Sequence, residues 1–147
     1  MDKVLFSSKS NEWATPQDLY NKLNNRYNFT LDPCSSLENH KCDKFYTIKE
    51  NGLIQDWSNE VVFCNPPYGR EIYDWVKKCY NEHLNGTKIV LLIPSRTDTK
   101  YFHEFLYKKP NIKLEFIKGR LKFGDSNNSA PFPSLLAYFN IDDVYND

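Results

Sequence analysis

Residues Asn65-Pro66-Pro67-Tyr68 form the stretch of this sequence with the clearest capacity for chemistry. They follow the apolar run Val61–Cys64, which is typical of a buried strand. The prolines end that strand, because proline lacks the amide hydrogen that a strand ladder needs. An amide side chain, a rigid backbone carbonyl and an aromatic ring then stand at a strand's carboxyl end, the edge where open α/β sheets bind ligands. This corner suits a planar group with an amino substituent: Asn65 Oδ1 and the Pro66 carbonyl accept its two hydrogens, and Tyr68 stacks on its face. The alternative is a strand that simply ends in a proline turn.

A second candidate side chain, Asp32, lies in the segment 29–33, which reads as a short strand that stops at Pro33. A carboxylate at the carboxyl edge of a sheet is a common way to hold a hydroxyl or an ammonium group of a ligand. The same carboxylate also serves in an Asx-turn or a helix cap. The sequence leaves both interpretations open.

The net charge of the chain is zero, but the charge is unevenly distributed. Residues 96–124 hold eight Lys or Arg and three Asp or Glu, a local balance of +5. Lys118, Arg120 and Lys122 have strand spacing, which predicts that they lie on one side of a strand. A patch that contacts phosphate groups, with Arg96 at its start, is one interpretation. An ordinary solvated face is the other.

Length and composition favour a single globular domain. We expect a flexible tail over residues 1–12, which are polar and lack periodicity, and one domain over residues 13–147. No signal peptide is recognisable, and the longest apolar run, 89–93, is too short to span a bilayer. We therefore expect a cytoplasmic protein. Its four cysteines lack the spacing of a metal site and are expected to be reduced core residues.

The periodicity of the remaining chain predicts a small three-layer α/β domain. Thr15 reads as an N-cap with Pro16 at the first helical position, and a second amphipathic helix is expected over 72–84. The apolar strand 88–93 indicates a parallel sheet with a right-handed βαβ unit. The pattern further predicts a helix near 101–106, a mobile loop over 124–133, and strands at 44–47, 114–117 and 135–139.

Taken together, the motifs resemble the phage-type DNA N-6-adenine methyltransferases, over roughly residues 12–139. The Asn-Pro-Pro-Tyr tetrad with an upstream Asp-Pro is specific for amino-group methylation, and the other elements narrow the resemblance to this family. The matching residues, in chain order, are Trp13-x-Thr15-Pro16, Leu31-Asp32-Pro33, Asp56-Trp57, Cys64 to Tyr68, Pro94-Ser95, Gly119-Arg120-Leu121-x-Phe123 and Pro133-Ser134-Leu135.

The resemblance implies a Rossmann-like, S-adenosylmethionine-dependent methyltransferase sheet that acts on adenine in DNA by flipping the base out of the duplex. It implies a phage or prophage protein in a bacterial host that acts on DNA and does not associate with a membrane. The tetrad residues Asn65, Pro66, Pro67 and Tyr68 would be catalytic, and no metal is needed. The residues that would contact the cofactor are Trp13, Thr15, Pro16, Asp32, Pro33 and Asp56.

Two features depart from the family pattern. The glycine-rich turn usual in methyltransferases is missing, because residues 32–36 contain no glycine. In the same region, the acid that would contact the cofactor ribose is ill-defined, with Asp43 and Glu50 as candidates. The second departure is that no separate target-recognition domain is expected, so any sequence reading falls to the 124–133 loop, the basic strand or a partner chain.

Two other functions fit the same residues. One is methylation of a glutamine amide in a protein, since an amide nitrogen poses the same electronic problem as adenine. The other is a degenerate, non-catalytic nucleic-acid-binding module that has kept the sheet. The basic segment 96–124 favours nucleic acid over protein as the substrate.

Overall fold

The computed structural model describes residues 13–124 and 127–144, and the predicted tail over residues 1–12 lies outside them. The sheet has four strands in the order β1-β2-β4-β3. Strand β1 is parallel to β2, whereas β4 is antiparallel to both of its neighbours. The strands are β1 (Val61–Cys64), β2 (Lys88–Pro94), β3 (Ile112–Phe116) and β4 (Ser134–Phe139).

The predicted parallel sheet is therefore confirmed for β1 and β2 and wrong for the sheet as a whole. Strands β3 and β4 are consecutive in the chain, and β4 turns back to lie between β2 and β3. The apolar run of β2 arises because β2 is central and covered on both faces, a condition that an antiparallel neighbour also satisfies.

Helices cover both faces of this sheet. Helix α1 (Gln17–Tyr27) packs Tyr20 against Phe63 of β1, with ring centroids 5.3 Å apart. Helix α2 (Ile72–Leu84) lies on the opposite face, where His83 contacts Phe139 of β4 at 5.4 Å. Neighbouring strand residues point to opposite faces, so Phe63 and Cys64 face different helices. The small α/β architecture predicted from the sequence is confirmed.

Helix α1 begins differently from the prediction. Its first helical residue is Gln17, and the residue at the cap is Pro16, with no side-chain hydrogen bond to the helix. The Thr15 hydroxyl does not cap the helix; it accepts a hydrogen bond from Asn65 Nδ2 at 3.0 Å. A tertiary hydrogen bond thus replaces the local capping bond that the sequence predicts.

The segments predicted as strands at 29–33 and 44–47 form only isolated parallel bridges. Leu31 pairs with Val62 of β1, and Asp32 pairs with Phe45. Pairing stops there because Pro33 has no amide hydrogen to continue the ladder. The bridges nevertheless extend the sheet beyond β1, and they place Asp32 at the same carboxyl edge as the tetrad.

The second half of the chain departs from the predictions in two further places. The predicted helix near 101–106 is a short π-helix, Phe102–Leu106. Residues Lys118, Arg120 and Lys122 are exposed, but β3 ends before them at Phe116. Gly119, with a φ of 76°, breaks the extended backbone, so these cations do not share one face of a strand.

The predicted mobile loop, 124–133, is anchored at a few points in its described part, which excludes residues 125 and 126, whereas residues 127–129, 131 and 133 are exposed. Gly124 donates its backbone N–H to Ala14 O at 2.8 Å, and Ala130 and Phe132 are buried.

All four cysteines are free thiols, as predicted. Three of them are buried, and Cys34 is half-buried. No helix in the described ranges is long and apolar enough to cross a membrane.

Candidate active site

A cavity of about 500 Å³ opens at the carboxyl edge of the sheet, beside the ends of β1 and of the 29–32 segment. Its walls bring together Asn65 and both prolines of the tetrad with Asp32 and Pro33. Trp13 and Thr15, from the segment before α1, complete one side. Seven of the residues predicted from the sequence therefore share one cavity of a size typical for a small-molecule site.

The side chain of Asn65 is held from both ends. Its Nδ2 donates to the carbonyl oxygen of Trp13 and to Thr15 Oγ1, and its Oδ1 accepts from the Tyr68 hydroxyl at 2.7 Å. The Trp13 carbonyl can only accept, which fixes the amide orientation. One lone pair of Oδ1 remains for another donor. The arrangement presents an oriented acceptor to the cavity.

Tyr68 does not line this cavity and is only 6% exposed. Its ring makes edge-type contacts with Phe132 at 5.6 Å and with Phe123 at 6.2 Å, and Trp13 packs against the same two rings. We call Trp13, Tyr68, Phe123 and Phe132 the aromatic cluster. Burial raises the pKa of the Tyr68 phenol above its usual range, which keeps its proton available for Asn65.

Asp32 is 5% exposed and lines the cavity from the isolated bridge that it forms with Phe45. Its carboxylate accepts the backbone N–H of Lys41 at 2.8 Å and that of Cys34 at 3.4 Å. Burial raises the pKa of this carboxyl to about 6, and the two N–H groups offset part of that effect. A buried, incompletely compensated acid in a cavity is typical of a ligand-binding group.

A glycine does approach the turn after Asp32, but it comes from a distant part of the chain. Gly52 starts a short 3₁₀ helix, Gly52–Ile54, and packs directly on the carbonyl of Pro33. Trp57 donates its indole N–H to Gly52 O at 3.0 Å and so holds the contact. The close backbone contact at the turn after Asp32 is thus made between two segments of the chain.

Replacing Gly52 by alanine is expected to destabilise the fold by about 1–3 kcal/mol, because over-packed sites cost that much to relax. The new Cβ would lie 2.1 Å from Pro33 O and 3.1 Å from the Trp75 ring, and backbone cannot move aside easily. Urea unfolding of the two proteins measures the difference. Gly86→Ala is the comparison: nothing lies within 4 Å of its Cβ, so only the strain of its φ of 95° remains. A larger loss at Gly86 than at Gly52 would contradict the close-approach role.

Several cavity residues were not recognised from the sequence. Lys41, Glu71 and Trp75 all line the cavity, as do polar residues of the turn after Pro33. The buried indole N–H of Trp75 has no acceptor among the described residues, which leaves a donor unsatisfied at this wall. Glu71 follows the tetrad closely, and that position could have indicated that it lines the cavity. Lys41 lies in a segment without periodicity, so no sequence pattern indicates its place at the cavity.

Other predicted residues lie outside the cavity. Pro16 does not line it. Asp56 does not line it either: it is exposed, and its carboxylate accepts hydrogen bonds from the backbone N–H and the hydroxyl of Ser58. The weak ribose candidates Asp43 and Glu50 do not line it either. The predicted DNA-contacting cations are exposed and lie away from the cavity walls: Arg96, Lys118, Arg120 and Lys122.

Comparison with known proteins shows the family to which the chain is related. Residues 4–134 match the family model described as DNA N-6-adenine-methyltransferase (Dam). The chain is similar to the DNA N-6-adenine-methyltransferase of Escherichia phage T1, with 37% identity over 95 residues, which is 63% of this chain and 39% of that protein. It is also similar to the putative methyltransferase YfdM of Escherichia coli K12, with 34% identity over 64 residues, 39% of this chain and 70% of that one.

The chain spans only 39% of the length of its phage T1 relative, so the likeness to that protein is partial. The family match, in contrast, runs from before the described residues to the start of β4 and includes the whole tetrad, Asp32 and Gly52. This protein therefore belongs to the DNA N-6-adenine-methyltransferase (Dam) family.

Proposed function

We propose that the protein transfers a methyl group from S-adenosylmethionine to the exocyclic amino group of adenine in DNA. The observation that carries the proposal is the single cavity shared by Asp32 and by Asn65, Pro66 and Pro67. One part of that cavity suits a charged, nucleoside-containing donor. The adjoining corner suits an amino group. We also propose that the sheet is of the Rossmann-like methyltransferase type.

The residues of the cavity fit such a cofactor. Its walls carry two carboxylates, Asp32 and Glu71, one ammonium group, Lys41, and the unsatisfied indole N–H of Trp75. The cofactor itself combines cationic groups, a carboxylate and a nucleoside. When bound, it supplies an electrophilic methyl group on a sulfonium.

The tetrad would then act on the adenine nitrogen, whose lone pair is delocalised into the ring and is poorly nucleophilic. Asn65 Oδ1 and the Pro66 carbonyl accept the two amino hydrogens, which favours a pyramidal nitrogen with its lone pair directed at the methyl group. The acceptors thus bind the transition state more strongly than the ground state. The new N–C bond would form as the donor's S–CH₃ bond breaks, leaving a neutral thioether, and the nitrogen would then release one proton to water.

The base cannot be reached inside a duplex and would be flipped out, with Tyr68 as its stacking partner. Because Tyr68 is buried under Phe123 and Phe132, this step requires the aromatic cluster to open. Phe123 and Phe132 would move aside as the base enters. The exposed cations Arg96, Lys118, Arg120 and Lys122 would contact DNA phosphates around this entrance.

The test is expression in a host whose DNA lacks adenine methylation, followed by nucleoside mass spectrometry and methylation-sensitive sequencing. We expect N6-methyladenine at a defined sequence context that is absent without the protein. In a second assay the protein is incubated with labelled S-adenosylmethionine, DNA and protein. The DNA and protein fractions are then separated, and the label in each is measured. Label on protein alone would support glutamine-amide methylation, and cofactor binding without any transfer would support a non-catalytic module.

A further inference from the structure

Lys41 lines the cavity, and its ammonium group has no acidic partner among the described residues. Its Nζ donates to the neutral Gln17 Oε1 at 2.7 Å and lies 6.0 Å from the centre of the Tyr20 ring. No Asp or Glu oxygen in the described ranges lies within 4.0 Å of it. Burial lowers the pKa of Lys41, and the nearby Asp32 only partly opposes that shift. A partly desolvated cation of this kind is incompletely neutralised by the protein.

The backbone around Lys41 is fixed by a network of hydrogen bonds. The Lys41 N–H donates to Asp32 Oδ2, and the Asp32 N–H donates to Lys44 O. The neighbouring His40 ring stacks on Phe45 with centroids 3.7 Å apart. Gln17, which accepts from Lys41, is itself oriented by a bond from its Nε2 to Asn21 Oδ1. The backbone of Lys41 is therefore fixed, and its ammonium group already has a hydrogen-bond partner in the ligand-free protein.

Lys41 and Asp32 line the same cavity with side chains of opposite charge, and the Lys41 backbone N–H binds the Asp32 carboxylate directly. Asp32 is an acceptor for an ammonium group, and Lys41 is a donor for a carboxylate. An α-amino acid carries both groups on one carbon atom, so the pair matches the end of a ligand that contains such a unit.

We propose that Lys41 binds the α-carboxylate of the cofactor and thereby selects the complete amino-acid form of S-adenosylmethionine. This inference rests on the proposed use of that cofactor. Lys41 is a binding residue in this assignment and takes no part in methyl transfer. Its effect falls on the affinity for ligands that carry the carboxylate.

The test compares two ligands that differ only in this group, S-adenosylmethionine and its decarboxylated form, by calorimetric titration. We expect the wild-type protein to bind the complete cofactor about 10- to 100-fold more tightly, the range of a hydrogen bond to a charged group. Lys41→Met is expected to bind both ligands with the same weak affinity. Lys49→Met is the control, because Lys49 is exposed and does not line the cavity.

Two outcomes would overturn the inference. One is equal affinity of the wild-type protein for the two ligands, and the other is an equal loss of affinity for both in Lys41→Met. If Lys41→Met unfolds, Lys41→Gln replaces it, since a neutral polar chain of similar reach can keep the bond to Gln17. If the wild-type protein binds neither ligand, the proposed function fails, and this inference fails with it.

Discussion

Replacing Asn65 by alanine is expected to lower kcat by about 100- to 1,000-fold, the range for removing one preorganised hydrogen-bonding group from an active site. The acceptor Oδ1 is used most strongly when the amino nitrogen becomes pyramidal, so the loss falls on turnover. Affinity for S-adenosylmethionine is expected to fall much less, by under about tenfold. Single-turnover methylation of unmethylated DNA measures the first quantity, and calorimetric titration measures the second.

Asn65 also holds the cavity wall through Trp13 and Thr15, so part of its effect is positional. Thr15→Val separates the two contributions. It removes the hydroxyl that accepts from Nδ2 but leaves the bond to Trp13 and the free lone pair of Oδ1. We expect a loss of at most about tenfold in kcat for this variant, the worth of one ordinary hydrogen bond. Equal losses in turnover and in cofactor affinity for Asn65→Ala would contradict the assigned role.

Replacing Asp32 by asparagine is expected to abolish measurable cofactor binding while making the ligand-free protein more stable at pH 8. The carboxyl has a pKa of about 6 in the folded protein, against an ordinary value of 3.8. Its protonated form therefore favours the folded state. That stability is fully present below about pH 3.8 and is lost as the pH rises through 6. The neutral amide avoids this loss, which is worth about 1–3 kcal/mol.

Urea unfolding at several pH values between 4 and 8 measures this effect. The stability advantage of Asp32→Asn is expected to grow with pH across that range, and the cofactor-induced rise in Tm seen in the wild-type protein is expected to disappear. Asp43→Asn is the control, because Asp43 is exposed and does not line the cavity. A variant that is less stable than wild type at pH 8 and still binds the cofactor would show that Asp32 has a structural role only.

The sequence predicted the parts of the site that depend on local chemistry. The apolar run of β1 followed by two prolines requires the chain to leave the sheet at Asn65. A second strand-like segment that stops at Pro33 places Asp32 at the same edge. Both predictions rest on rules that act over a few residues, and the structure brings the two side chains to one cavity.

Other features depend on contacts between distant segments and gave no local signal. Tyr68 packs under Phe123 and Phe132, which follow β3, and Gly52 packs on the Pro33 carbonyl from a distant segment. Thr15 satisfies the local capping rule, but its hydroxyl instead accepts a hydrogen bond from Asn65, far along the chain. In each case a tertiary interaction overrides the local preference.

Trp13 links the cavity to the aromatic cluster: its carbonyl accepts from Asn65 at the cavity, and its indole packs on Phe123 and Phe132. In the proposed function, opening the aromatic cluster for a base would therefore disturb a wall of the cavity that holds the donor. The two substrates would then bind with heterotropic cooperativity. By thermodynamic linkage, whatever factor the donor imposes on the affinity for DNA, DNA imposes on the affinity for the donor.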